Sequence, residues 1–138
     1  MFPLADAARY LYAHYRFMEG CNAVHQIFVC SSCCRVGETP QGAAFVAALR
    51  KRLGAHFAIA AHACFSVCSE PQALAFRAPG KAAYVFSGLN LDDLEDIAAF
   101  AQLWSGLVDG WIEDARPIGR LRFCLKARIP ATPIQPEQ

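Results

Sequence analysis

The sequence has no apolar run that reaches the roughly 18 residues of a membrane span. It also lacks an excess of charge of either sign, because 13 Lys and Arg residues accompany 12 Asp and Glu, for a net charge of +1. Nucleic-acid-binding domains usually carry a basic excess, and disordered chains combine low hydrophobicity with high net charge. With 138 residues, 55% of them apolar, the chain suits one globular domain that binds neither nucleic acid nor a membrane.

Motifs of several enzyme classes are missing as well. The sequence contains no glycine-rich phosphate loop, no Ser/His/Asp set and no pair of catalytic carboxylates. Its one acidic run, at residues 92–96, is explained by the preference of acids for the first turn of a helix. We leave open whether the protein is an enzyme and favour a non-catalytic role.

Cysteine is abundant, with 7 residues. The segment 1–20 carries charges throughout and lacks the hydrophobic centre and cleavage site of an export signal, so we expect a cytoplasmic protein. Thiols stay reduced in that compartment, and a high cysteine count there indicates metal binding or redox chemistry rather than structural disulfides.

Hydrophobic periodicity predicts the secondary structure. Helical spacing covers residues 4–18, 41–53 and 91–108, and the last of these begins with Asn90 as a cap. Short apolar or β-branched runs predict strands at 24–29, 57–63, 73–78 and 82–87, and the last two are joined by a Pro-Gly-Lys turn. Residues 119–129 fit either a short helix or an edge strand.

This order of elements predicts an α/β fold. A right-handed β-α-β crossover makes the first two strands parallel, a β-hairpin extends the sheet, and helices cover its faces. The order is that of a thioredoxin-like two-layer fold with an additional N-terminal helix. We predict a helical extension at 1–22, a thioredoxin-like metal-binding domain at 23–130 and a flexible tail at 131–138.

Two cysteine pairs follow predicted strands. Cys30 and Cys33 come after the first strand, and Cys64 and Cys68 come after the second. Because neighbouring parallel strands end at the same edge of a sheet, the four sulfurs are expected to face one point, and such thiolates repel one another unless a cation holds them. The spacing therefore predicts a four-sulfur metal site, which zinc and iron–sulfur clusters both accept. Three basic residues would offset its negative charge if they lie near the loops: Arg35, Arg77 and Lys81.

Other residues leave alternatives open. Cys34 could replace Cys33 as a ligand, act as a redox-active thiol or pack inward, and His62 could replace a sulfur. Cys21 and Cys124 are isolated in sequence and are expected to be buried as small apolar residues.

A thiol–disulfide oxidoreductase is a further alternative, because a Cys-x-x-Cys pair after the first strand is typical of that chemistry. Pro71, just before a predicted strand, would then be the cis-proline beside the site. Against this reading, Gly37 and Pro40 delay the helix to about residue 41, so neither cysteine of the first pair lies at a helix N-terminus.

Residues 25–130 resemble a bacterial family of unknown function described as predicted metal-binding proteins, and this family looks related to thioredoxin-like [2Fe–2S] ferredoxins. The matching stretches lie at 29–42, 64–68, 78–86 and 127–130, and they read VCSSC with GE and G, CFSVC, APGK with YVF, and ARIP. The resemblance implies a [2Fe–2S] cluster on Cys30, Cys33, Cys64 and Cys68, electron transfer and a redox partner protein. Zinc is the alternative metal, a metal-handling role linked to cobalt or cobalamin is a further possibility, and we leave open a homodimer.

Overall fold

The computed structural model describes residues 25–32, 34, 37–65 and 70–132. Within them the chain forms a single mixed sheet whose strands are β1 (His25–Cys30), β2 (Phe57–His62), β3 (Leu74–Arg77), β4 (Ala83–Phe86) and β5 (Leu125–Ile129). The five strands lie in the spatial order β2-β1-β3-β4-β5. The predicted extension 1–22 lies outside the described residues, as does the tail from residue 133, so those two predictions stay predictions.

Two α-helices belong to the described part, α1 (Gly42–Leu53) and α2 (Leu94–Gly106). Short 3₁₀ segments at Gly54–His56, Leu91–Asp93 and Arg116–Phe123 accompany them. Three basic residues occupy the last turn of α1, where the helix dipole favours positive charge, and Gly54 ends it with a φ of 67°. None of the helices in this part of the chain has the length and apolar character needed to cross a membrane.

The strand directions follow the predicted order of elements. β1 and β2 are parallel and α1 connects them, whereas β3 pairs antiparallel with β1, β4 with β3, and β5 with β4. The mixed α/β class is therefore confirmed. Residues 116–129 contain both structures considered for this region, because a 3₁₀ segment is followed by the edge strand β5.

One face of the sheet carries the core. Alternate residues of the strands are buried there together with the apolar sides of α1 and α2, in a single cluster. The helices also contact each other, so α1 and α2 lie on the same face of the sheet and do not cover both of its faces. The largest fully buried side chains of the cluster are aromatic, and they are Phe45, Phe76, Phe86, Phe100 and Trp104.

The 3₁₀ turn that leads into α2 has the predicted Asn90 cap, whereas the predicted helical span 91–108 is longer than α2 at both ends. The Asp92 amide donates to the Asn90 side chain, and the Asn90 amide donates to the Asp93 carboxylate, each at 2.9 Å. Leu91 is 41% exposed in the preceding 3₁₀ turn, and Val108 is 96% exposed because the helix ends at Gly106.

Candidate metal centre

The two cysteine loops start side by side because β1 and β2 are parallel neighbours. Cys30, the last residue of β1, is opposite His62, the last residue of β2. Both segments therefore leave the sheet at the same edge, as expected for consecutive strands of a β-α-β unit.

Hydrogen bonds continue the pairing beyond the strands. The Ser31 amide donates to the His62 carbonyl at 2.8 Å, and the Ser31 hydroxyl donates to the same oxygen at 3.2 Å. The Ser32 hydroxyl donates to the Ala63 carbonyl. These contacts tie residues 31–32 to residues 62–63, and the next residue along the second segment is Cys64.

Cys30 is fully buried, and both its backbone and its thiol have hydrogen-bond partners. Its amide donates to the Ala73 carbonyl at 3.1 Å, and its own carbonyl accepts from Gln72 Nε2 at 2.7 Å. Its Sγ lies 3.8 Å from the Ala63 carbonyl oxygen and 3.7 Å from Ser32 Oγ. The residue is therefore positioned by hydrogen bonds to Gln72 and Ala73, just before β3, and its thiol by polar contacts to Ser32 and Ala63.

Helix α1 packs directly on the backbone of Cys30 and Ser31. A Cβ added to Gly42 would lie 2.8 Å from the Cys30 carbonyl oxygen and 2.8 Å from Ser31 Cα, closer than real Cβ atoms approach. Only glycine permits this approach, which brings the start of the helix beside the Cys30 and Ser31 backbone. Helix α1 begins where predicted, and its first residue, Gly42, approaches the Cys30 backbone in space.

The other predicted ligands are described only in part. Cys64 is exposed, whereas Cys33 and Cys68 lie outside the described residues. No group of three or more His, Cys, Asp or Glu side chains that could hold a metal occurs among the described residues. The convergence of all four cysteines on one point stays a prediction.

The alternative ligands occupy different places. Cys34 is exposed, and His62 is exposed at the end of β2. The His62 ring contacts those of Phe28 and Phe65, with centroids 6.4 Å and 6.0 Å away. Aromatic packing therefore holds the imidazole at the edge where the cysteine loops begin.

Cys124 is buried as predicted, 7% exposed, whereas Cys21 lies outside the described residues. The Cys124 thiol donates to the Arg120 carbonyl at 3.7 Å, and burial raises the pKa of this thiol. It belongs to the apolar core cluster, and this makes it a matched control for Cys30.

Two of the three predicted positive charges, Arg77 and Lys81, lie away from the cysteine loops. Arg77 is opposite Gln26, at the other end of the sheet from Cys30. The Lys81 ammonium donates to carbonyls at the C-terminus of α2, those of Trp104 at 3.1 Å, Ser105 at 2.9 Å and Leu107. Burial lowers the pKa of this amine. Lys81 is therefore held by the end of α2, and Arg35 lies outside the described residues.

Sequence reasoning missed Gln72. The cis peptide bond of this region joins Pro71 to Gln72, so it follows Pro71, and Pro71 is not a cis-proline as the oxidoreductase reading required. Gln72 is only 4% exposed, and its amide nitrogen reaches the Cys30 carbonyl. A single glutamine before a strand gives no sequence signal for this role, which depends on the antiparallel pairing of β1 with β3.

The model of a family described as a protein of unknown function, DUF1636, matches residues 27–131. The chain belongs to this family. The matched range contains both cysteine pairs and nearly the whole described sheet, and it leaves out the predicted N-terminal extension. Comparison with curated proteins gave no match, and comparison with solved structures gave none either.

Proposed function

We propose that this DUF1636 protein is a small metal-binding electron carrier whose ligands are Cys30, Cys33, Cys64 and Cys68. The observation that carries the proposal is the set of hydrogen bonds between residues 31–32 and residues 62–63, which holds the beginnings of the two cysteine loops together. Cys30 and Cys64 flank these bonds in sequence, so a ligand from each pair starts at the same edge of the sheet.

The sheet supports the finer assignment of a thioredoxin-like fold. A parallel β1-α1-β2 unit is followed by an antiparallel β3-β4 hairpin and then by α2, which is the order of elements of that fold. β5 adds a strand at the edge. Together with the cysteine pairs, this order favours a relationship to thioredoxin-like [2Fe–2S] ferredoxins.

The donor set fits a thiolate-bound metal. Four thiolates close together need a cation, and the start of helix α1 lies beside the Cys30 backbone. A bound [2Fe–2S] cluster would supply a one-electron redox centre. The chain's own contribution is to bury Cys30, expose Cys64 and fix the backbone between them, which leaves one side of the site accessible to a redox partner protein.

Zinc is the alternative metal on the same four ligands, in a closed structural or metal-handling site. Anaerobic purification followed by an absorption spectrum and by iron, zinc and sulfide analysis separates the two. Visible bands with equal iron and acid-labile sulfide support the cluster. Zinc alone would replace the electron carrier with a zinc module, and a metal-free protein would contradict both.

Cysteine variants test the ligand set. We expect Cys30→Ser and Cys64→Ser each to lose most of the bound metal, since every ligand of a four-sulfur site is needed. Cys124→Ser is the matched control for Cys30, because both residues are buried and Cys124 lies in the apolar core. Metal retained in Cys30→Ser and lost in Cys124→Ser would contradict the proposed site.

The start of α1 beside Cys30 also favours a second candidate, a thiol–disulfide oxidoreductase using Cys30 and Cys33. This candidate predicts that the metal-free protein reduces a protein disulfide and that Cys64→Ser retains this activity. Loss of activity together with metal in Cys64→Ser would exclude it.

A further inference from the structure

A pocket of about 220 Å³ opens beside the first cysteine loop. Its lining includes Cys34, Glu38, Thr39, Gln72 and Asn90, so it lies between the loop, the segment before β3 and the cap of α2. At about 30 Å³ for each water molecule, the volume accommodates about seven waters or a small organic molecule.

Gln72, one of the residues that line this pocket, has a side-chain polar atom without a hydrogen-bond partner. Its side-chain nitrogen donates to the carbonyls of Cys30 at 2.7 Å and Ala73 at 3.1 Å, and both are acceptors, so the orientation of the amide is fixed. The remaining atom, Oε1, is buried and has no hydrogen-bond partner. A buried acceptor left in this state is costly, and it calls for a donor from outside the described structure.

The charge of the lining narrows the class of ligand. Among the described residues that line the pocket, Glu38 carries the only charge, and none is basic. The Asn90 side-chain oxygen is already occupied by the Asp92 amide. The acceptors still available in this lining therefore suit N–H donors on a positively charged group.

We propose that this pocket binds a small molecule with an ammonium or guanidinium group, which donates an N–H to Gln72 Oε1 and is attracted by the Glu38 carboxylate. The same Gln72 amide holds the Cys30 carbonyl, so the ligand sits next to the cysteine loops. The proposal does not require a metal at those loops.

Titration of the full chain with four simple ions and with urea tests which ligand chemistry the pocket prefers. The readout is the NMR chemical shift of the Gln72 side-chain amide. Methylguanidinium and methylammonium supply charge and N–H donors, tetramethylammonium supplies charge alone, urea supplies donors alone, and acetate is an anion. We expect saturable shifts with the first two and weaker shifts with the others. Equal or tighter binding of acetate, or no saturable shift with either donor cation, would overturn the proposal and leave the pocket to water.

Variants assign the two contacts. Gln72→Met removes the acceptor, and Glu38→Gln removes the charge from an exposed residue and so preserves folding. Each is expected to weaken methylguanidinium binding at least about threefold, whereas Glu113→Gln, at another exposed glutamate, leaves it unchanged. Unchanged affinity in Glu38→Gln would contradict the charge assignment even if Gln72→Met failed to fold. Methylguanidinium binding that is seen only in Arg35→Ala would mean that the Arg35 guanidinium occupies the pocket in the unaltered protein. This result would overturn the proposal of a free ligand.

Alkylation of thiols gives an independent readout. Cys34 lines the pocket and is exposed, whereas Cys64 is exposed and is not part of the lining. Bound methylguanidinium is expected to slow the modification of Cys34 without changing that of Cys64. Equal slowing of both thiols, or of neither, would speak against binding in the pocket.

Discussion

His25 begins β1 among aromatic rings, whereas Cys30 ends the same strand among hydrogen-bonding groups. The His25 ring lies 5.3 Å from that of Trp104 and 5.8 Å from that of Phe57, between centroids. Trp104 is fully buried, and its indole nitrogen donates to the Ala82 carbonyl at 2.9 Å. This aromatic end is held mainly by burial of large apolar surface, the largest favourable contribution to folding.

At the cysteine end, few large apolar side chains among the described residues surround Cys30. The small cluster there joins Cys30 to Ala73, with Phe65 packed against them. Directional bonds from Ser31, Ser32 and Gln72 position the backbone instead. The difference teaches that stability and site geometry depend on opposite ends of one strand, so substitutions can alter them separately.

Trp104→Ala is expected to have the largest effect. Removing a fully buried indole costs about 3–5 kcal/mol of the free energy of unfolding, measured in denaturant. The metal content of the molecules that remain folded should not change, because Trp104 lies at the aromatic end.

Phe123→Ala is the control for this prediction. Phe123 is 75% exposed, so its removal should change the free energy of unfolding by less than about 0.5 kcal/mol. Loss of metal from folded Trp104→Ala would mean that the two ends are coupled.

Gly42→Ala comes next and should act on the cysteine end. The added methyl group would meet the backbone of Cys30 and Ser31 at 2.8 Å, and moving that backbone costs about 1–3 kcal/mol. We expect the metal content to fall along with stability, because the same backbone positions the Cys30 thiol.

Gly106→Ala is the matched helical glycine. Nothing lies within 4 Å of its added Cβ, so alanine should stabilise the protein by up to about 1 kcal/mol. If Gly42→Ala were as harmless as Gly106→Ala in unfolding and metal analysis, the close approach of α1 to Cys30 would be refuted.

The smallest effect is a pH dependence at the aromatic end. Burial, and then the charge of Lys81, lower the pKa of His25 from 6.5. The unfolded state then binds more protons than the folded state once the pH falls below about 6.5, so stability decreases on acidification. His25→Gln should flatten the change in unfolding free energy between about pH 7.5 and about pH 5.5. His56→Gln, at an exposed histidine, serves as the control. If it flattened the pH dependence equally, the dependence would not be due to His25.

Most of the fold was predictable because local patterns agree with the tertiary structure. The apolar run 57–63 and the turn at Pro79-Gly80-Lys81 give strands within a residue or two of those observed. Asn90 and Asp93 form the expected cap. β5 was only one of two options, since all five of its residues are exposed and it lacks the alternation of a half-buried strand.

The site was less predictable, because its supporting contacts join residues far apart in sequence. Strand order explains why Cys30 lies beside residues 62–63, and this much follows from the β-α-β pattern. The contacts of Gly42 and Gln72 with Cys30, and the position of Lys81 at the end of α2, depend on packing that no local pattern encodes.

The hydroxyl bond from Ser32 to the Ala63 carbonyl has a consequence for how a metal would be taken up and released. This bond holds the first residues of both cysteine loops together before a metal binds. An incoming ion would therefore not have to order these residues itself. Small zinc fingers unfold when a chelator strips them. This domain has an apolar core of its own, so we expect it to stay folded after a chelator removes the metal and to bind metal again when metal is restored.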